Sequence, residues 1–305
     1  MNTEKKYYSK LMIAGEYGVL AGSEALTMPL KNFYARIVQK KDPSDSATMI
    51  KSVSSLRKLF NYIHTLPKNS FYAQSLDNEM ESMLNDGYYI ESTIPHAYGI
   101  GSSGAVSAII YDQFFRNNEK LDMQKQRKDL ATIESFYHGK SSGVDAMTCF
   151  KASPLHFFPD GKIIPVDLDP HKLPGGNRFF LLDSGTTLST EPMVNSFIRK
   201  MEKESFRRQV LDDYIPLIKK FIASLYGSLE VDPALLFRAI SDFQWTYFRE
   251  MIPEIMEEPW IHGQVSNNYY LKINGSGGGF LLGIAPEESM EALNELMEGY
   301  KLVWL

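Results

Sequence analysis

One segment constrains what this chain can fold into more than any other: Pro95-His-Ala-Tyr-Gly-Ile-Gly-Ser-Ser-Gly104. It runs straight into an apolar stretch in which Val106, Ile109, Ile110 and Phe114 recur at helical spacing. A glycine-rich loop must therefore hand over to a helix, expected from Ala105 to Phe115. Backbone amides at such a helix start, approached over glycines, form an anion site suited to phosphate. The two serines can add hydroxyls for a phosphate oxygen or a magnesium ion. The plainer reading is a turn capped by Ser102 or Ser103. The loop is not a Walker A sequence, because no Gly-Lys-Ser/Thr follows, and it is not a dinucleotide fingerprint.

Three further segments carry chemistry-bearing residues. Gly275-Ser-Gly-Gly-Gly279 lies between two apolar strands, where a simple hairpin needs only two turn residues. Backbone closely approached by a phosphate or substrate explains it better than a flexible hairpin tip. Glu134-Ser-Phe-Tyr-His-Gly-Lys-Ser-Ser-Gly-Val-Asp145 separates two carboxylates by a His-Gly break that ends one helix before the next begins. One carboxylate can hold a cation while the other accepts a proton, as phosphoryl transfer requires. The competing reading is a capping box formed by Ser142 and Asp145. Finally, Lys10 and Glu16 interrupt the apolar stretch from Ser9 to Gly22; taken singly they read as a solvated strand end and a loop charge. The six histidines show no metal-binding spacing, and no nucleophile elbow occurs, so protease, esterase and zinc-hydrolase readings rank low.

Composition narrows the class. With 305 residues the chain is long enough for two domains. Its 32 basic against 37 acidic residues give a net charge of −5, which offers no field for nucleic acid or an acidic membrane. The lone Cys149 forbids an internal disulfide and a multi-cysteine zinc site, and fits a reducing compartment. No apolar run is long enough to span a membrane, and Glu16 inside the N-terminal apolar segment argues against a signal peptide. The expectation is a soluble, cytoplasmic protein of two domains.

Pro and Gly cluster from Leu168 to Asn177, the best linker, which sets the expected domains at 1–168 and 169–305. Lys40 to Ser46 reads as a surface loop. Before the linker, strands are expected at Leu11–Ala14, Phe33–Val38 and Tyr88–Thr93, with a second helix over Gln124–Tyr137. After it come a strand at Arg178–Asp183, helices between Pro192 and Gly227, and a helix opened by Asp232-Pro233. Strands at Tyr269–Ile273 and Phe280–Ile284, a helix from Pro286 to Gly299 and a strand at Lys301–Leu305 complete it. That order makes a split, ferredoxin-like α+β arrangement, not a doubly wound sheet.

Together and in this order, the segments resemble the GHMP kinases, the superfamily of galactokinase, homoserine kinase, mevalonate kinase and phosphomevalonate kinase. Pro95–Gly104 is similar to that family's Pro-x-x-x-Gly-Leu-Gly-Ser-Ser loop, with Ile100 for leucine. Lys272–Gly279 resembles Lys-x-x-Gly-Ala-Gly-Gly-Gly, with Ser276 for alanine. Lys10–Gly22 resembles Lys-x-x-x-x-Gly-Glu-His-x-x-x-x-Gly. Within the superfamily, His138–Asp145, Glu134 and Asp183-Ser-Gly185 with Ser189-Thr190 look most like mevalonate kinase.

The resemblance implies a two-domain α+β GHMP kinase fold, with a ribosomal protein S5 domain 2-like N-terminal domain and a ferredoxin-like C-terminal one. It implies ATP and Mg2+ as cofactors and Asp145 as catalytic base, with Lys10 beside it and the transferred phosphate. Pro95 opens the ATP loop, and Gly99, Ile100, Gly101, Ser102, Ser103 and Gly104 wrap the phosphates. Ser103 and Glu134 would hold magnesium. Glu16, Tyr17, Thr190, Gly275, Ser276 and Gly277 would lie near the substrate.

Three departures stand out. Tyr17 replaces a substrate-contacting histidine, Ser141 replaces a proline and Phe280 replaces a fourth glycine; the last two are expected to touch none of the charged groups. The implied reaction is ATP-dependent phosphorylation of mevalonate. Gly-Glu-Tyr also occurs in phosphomevalonate kinases, so that activity, or another GHMP kinase, is the alternative. A phosphorylated acceptor would call on extra cations, for which His96, Lys140 and Arg178 are the nearby candidates. A non-catalytic nucleotide-binding homologue ranks below both, since Lys10, Ser103, Glu134 and Asp145 are all present. A homodimer is the default for a soluble enzyme.

Overall fold

Alternating and continuous apolar runs along the chain resolve into two units in the computed structural model, which describes residues 2–39, 47–66, 76–115 and 122–305. The expected loop at 40–46 lies outside the described residues. The units interleave along the chain: one takes Met1–Lys10, Pro29–Pro95 and Gly101–Ser153, the other Leu11–Met28, His96–Ile100 and Pro154–Leu305. Strands β1 (Tyr7–Ala14) and β2 (Ala25–Gln39) each contribute residues to both.

In the first unit, helix α1 (Ala47–Thr65) buries Leu56, Leu59, Phe60 and Ile63, the 3–4 spacing of a one-sided helix. Helix α2 (Leu76–Asn85) follows, and strand β3 (Tyr88–Ser92) pairs antiparallel with the end of β2, Ala35 opposite Ser92 and Gln39 opposite Tyr88. Helix α3 (Ser102–Ile110) starts earlier than its apolar period suggests, because the period marks buried side chains and Ser102 and Ser103 are only half-buried. Its expected last turn, Tyr111–Phe115, is wound as a π-helix. Helix α4 (Met123–His138) ends before Gly139, and α5 (Val144–Lys151) packs against α3.

From Pro154 the second unit continues with two strands too short to leave a period, β4 (Leu155–Phe157) and β5 (Ile163–Pro165). β4 pairs antiparallel with the start of β2, Ala25 opposite Phe157, and with β5. The expected linker contains a tight turn at Pro174–Gly176 and a bridge between Leu173 and Asn177. Strand β6 (Asn177–Asp183) is followed by α6 (Thr190–Met201), α7 (Glu204–Arg208), a π-turn and α8 (Ile215–Leu225). Next come α9 (Pro233–Tyr247) and α10 (Glu257–Ser266). Asp232 caps α9 as expected, accepting from the Ala234 amide at 2.9 Å.

Strands β7 (Tyr270–Ile273) and β8 (Phe280–Pro286), helix α11 (Met290–Leu296) and strand β9 (Lys301–Trp304) close the chain. Pro286 ends β8 instead of opening a helix, and a 3-10 turn at Glu287–Ser289 precedes α11. The sheet runs β7-β8-β6-β9 with every pair antiparallel, the order of the expected ferredoxin-like split. Phe197, Phe206, Tyr214, Phe243 and Phe248 form an aromatic cluster beside it. Among the described residues, no helix is long and apolar enough to cross a membrane.

Candidate active site

In the first unit, β1 delivers Lys10 to the start of α3. Its side chain is 1% exposed, and its stem lies where Gly101 has no Cβ; one there would stand 2.8 Å from Lys10 Cγ. Gly101 is the N-cap, at φ 79°, so the loop turns into the helix on a backbone conformation suited to glycine. Neither serine caps α3 through its side chain, which disposes of the plain capped turn. A buried ammonium requires a partner. Lys10 Nζ finds Asp145 Oδ1 at 3.1 Å, and the Asp145 side chain keeps 31% of its surface open.

Asp145 sits in the first turn of α5, where the helix dipole favours a carboxylate. The helix is capped by Gly143, not Ser142, so Asp145 falls one place short of the capping-box position and turns to Lys10 instead. Glu134, in the last turn of α4, is 3% exposed. Its Oε1 lies 3.3 Å from Ser103 Oγ, and its Oε2 accepts from Ser141 Oγ at 2.5 Å. Burial first, then the charge of Asp145, pushes Glu134 up to about 7, against the pull of Ser141, Lys10 and Ser103. Ser141 therefore does touch a charged group, contrary to the expectation. Serine brings at this position a hydroxyl donor that proline lacks. Ser103 Oγ also shares a hydrogen bond with His138 Nε2 at 2.9 Å.

In the second unit, the turn that follows β1 carries Glu16, which is 2% exposed and ion-paired with fully buried Lys272. Lys272 Nζ donates as well to the carbonyls of Met12 and Ile273, both at 3.1 Å. Tyr17 donates to the Ser276 carbonyl at 2.6 Å and leans on Phe197 and Phe248, while burial, then Glu250 and Glu16, push its hydroxyl pKa up. Thr190 Oγ1 and Ser276 Oγ lie 3.0 Å apart.

The second glycine run lies tightly against the chain itself. A Cβ on Gly275 would stand 2.7 Å from the Gly99 carbonyl oxygen, and one on Gly279 2.4 Å from Tyr98 Cα. Gly277 lies against the Met251 carbonyl. Asn274 accepts from the Met12 amide at 3.2 Å and donates to Gly99 O at 3.4 Å. Close backbone approach was legible in the sequence; that the approaching group is Tyr98–Gly99, 176 residues earlier for Gly275 against Gly99, was not.

The structure thus gathers Lys10, Gly101, Ser103, Gly104, Glu134 and Asp145 in one unit, and Glu16, Tyr17, Thr190, Gly99, Gly275, Ser276 and Gly277 in the other. Ile100 is buried, Ser102 opens α3, and Pro95 precedes the turn. The guanidinium of Arg178 is committed to Leu305 O, Glu287 and His171. His138, Ser141, Lys272 and Asn274 lie within the motif segments, and a polar residue at that place was the only signal for them.

The family model for the GHMP kinases N terminal domain matches residues 68–152. No curated protein sequence matches the chain. Several solved structures share its fold. Mevalonate kinase of L. major, in complex with R-mevalonate, is 16% identical with a TM-score of 0.64, covering 98% of this chain and 95% of that one. Galactokinase of Lactococcus lactis, complexed with galactose, is 12% identical with a TM-score of 0.66, covering 98% and 91%. Phosphomevalonate kinase of Streptococcus pneumoniae is 14% identical with a TM-score of 0.62, covering 98% and 97%. At such identities the likeness carries the two-domain α+β fold.

Proposed function

The chain has a GHMP kinase N-terminal domain and the GHMP kinase fold, and on that premise we propose that it transfers the γ-phosphoryl group of ATP to a small-molecule hydroxyl, mevalonate first among acceptors. The observation that carries the reading is the Lys10–Asp145 pair: a buried cation fixing a carboxylate that remains a third open to solvent. Asp145 receives the proton of the acceptor hydroxyl as its oxygen bonds to the γ-phosphorus and the bond to the bridging oxygen of ADP breaks. Amides at the start of α3 cradle the phosphates, and Lys10 offsets charge on the transferred group.

The donor set also suits magnesium. Ser103 and Glu134 supply oxygen only, and this ion binds through one or two carboxylates plus substrate phosphates. Burial first, then the neighbouring Asp145 charge, raises Glu134 to about 7, a cost that a cation bound between the carboxylates would offset. Bound there, the ion neutralises charge on the β- and γ-phosphates. Tyr17, standing where mevalonate kinases resemble one another in a histidine, keeps phosphomevalonate as the second acceptor. Supplying ATP with mevalonate, phosphomevalonate, galactose or homoserine and following ADP release tests this. Turnover on mevalonate is expected; turnover on another acceptor reassigns the substrate, and none on any acceptor refutes the transferase reading.

A further inference from the structure

The two oxygen donors assigned above to the cation, Ser103 and Glu134, are each held by a side chain for which the proposed reaction has no use. Ser103 has one hydroxyl proton and two neighbours, Glu134 Oε1 at 3.3 Å and His138 Nε2 at 2.9 Å. His138 is the last residue of α4, one turn beyond Glu134, so both reach Ser103 from the same helix face. Glu134 Oε2 is held by Ser141 Oγ at 2.5 Å. The Ser141 hydroxyl in turn accepts the Gly143 amide at 2.9 Å, and its own amide donates to Ser135 Oγ at 3.1 Å. Its proton is thereby directed at the carboxylate. A proline at 141 could do neither.

We propose that His138 and Ser141 are positioning residues, which set the Ser103 hydroxyl and the Glu134 carboxylate in the orientation that receives the magnesium–nucleotide complex. The inference rests on the kinase reading. Partners of metal-ligating side chains typically account for ten- to a hundredfold in metal affinity. Neither residue touches the reacting atoms; each acts through the donor it holds.

The test is calorimetric titration with Mn2+·ADP, with no acceptor present and no turnover. His138→Ala and Ser141→Ala are each expected to weaken binding by about tenfold, with metal-free ADP binding unchanged. His138→Gln, whose amide reaches about as far as the imidazole Nε2, is expected to restore most of it. In a Ser103→Ala background, His138→Ala is expected to add no further loss, since its partner is gone. A full additional loss in that background, or unchanged binding in both single variants, overturns the positioning role. Wild-type protein that takes up no Mn2+·ADP overturns the kinase reading itself, which keeps the two failures apart.

Discussion

Lys10 and Asp145 are polar interruptions that sequence alone reads equally well as a strand end and a cap. Their 3.1 Å separation makes them one ion pair, as the motif order implied. Asp145→Asn keeps the shape and removes the proton acceptor, so turnover is expected to fall by about 10²- to 10⁴-fold while nucleotide binding persists; steady-state rates beside equilibrium titration check both halves. Glu134 adds a pH signature. Its folded pKa is raised from 4.5 to about 7, so its contribution to stability is present below the lower value and is lost as pH rises through the upper one. In metal-free protein that loss amounts to about 3 kcal/mol. Glu134→Gln is expected to abolish it, so the melting temperature of the variant should gain on wild type between pH 5 and pH 8. Parallel melting curves across that range would refute the burial argument. The sequence marks Glu134 as a candidate but not as a buried one, because burial depends on what α3 and the α4–α5 connection place over it.

At the scale of elements, long periodic helices and apolar strands were legible, and failures fell where period and length fail. α3 begins earlier than its apolar period because Ser102 and Ser103 are polar first-turn residues, and β4 and β5 are three residues each. Glu16 shows what spacing does not display: the turn after β1 and strand β7 bring it to a buried pair with Lys272, whose ammonium also secures the Met12 carbonyl. Breaking such a pair on one side leaves an uncompensated buried charge. Lys272→Met is therefore expected to cost about 3–5 kcal/mol, and Glu16→Leu combined with Lys272→Met far less. Denaturant midpoints of wild type, Lys272→Met, Glu16→Leu and the double variant measure the coupling; additive losses would mean that the charges do not depend on each other.

For the whole molecule, a net charge of −5 argues against long polyanions yet leaves a small one to be met locally. A ligand that binds only the folded state stabilises it by ~2.7 kcal/mol at a hundred times its dissociation constant. Mg2+·ATP should accordingly raise the melting temperature by several degrees, and by as much in Asp145→Asn; no shift at millimolar nucleotide would remove the phosphate loop from the account. The class of fold, the glycine loop ahead of α3 and the set of charged candidates were determined by the sequence alone, because glycine placement, apolar period and element order are local properties that a single chain displays directly. Which residues share a unit, which glycines are filled by protein, and that Ser141 and His138 flank Glu134 and Ser103 were decided only by tertiary structure. Those facts depend on distances between segments far apart along the chain, and on burial, which sets the cost of a charge and is not written in any one segment.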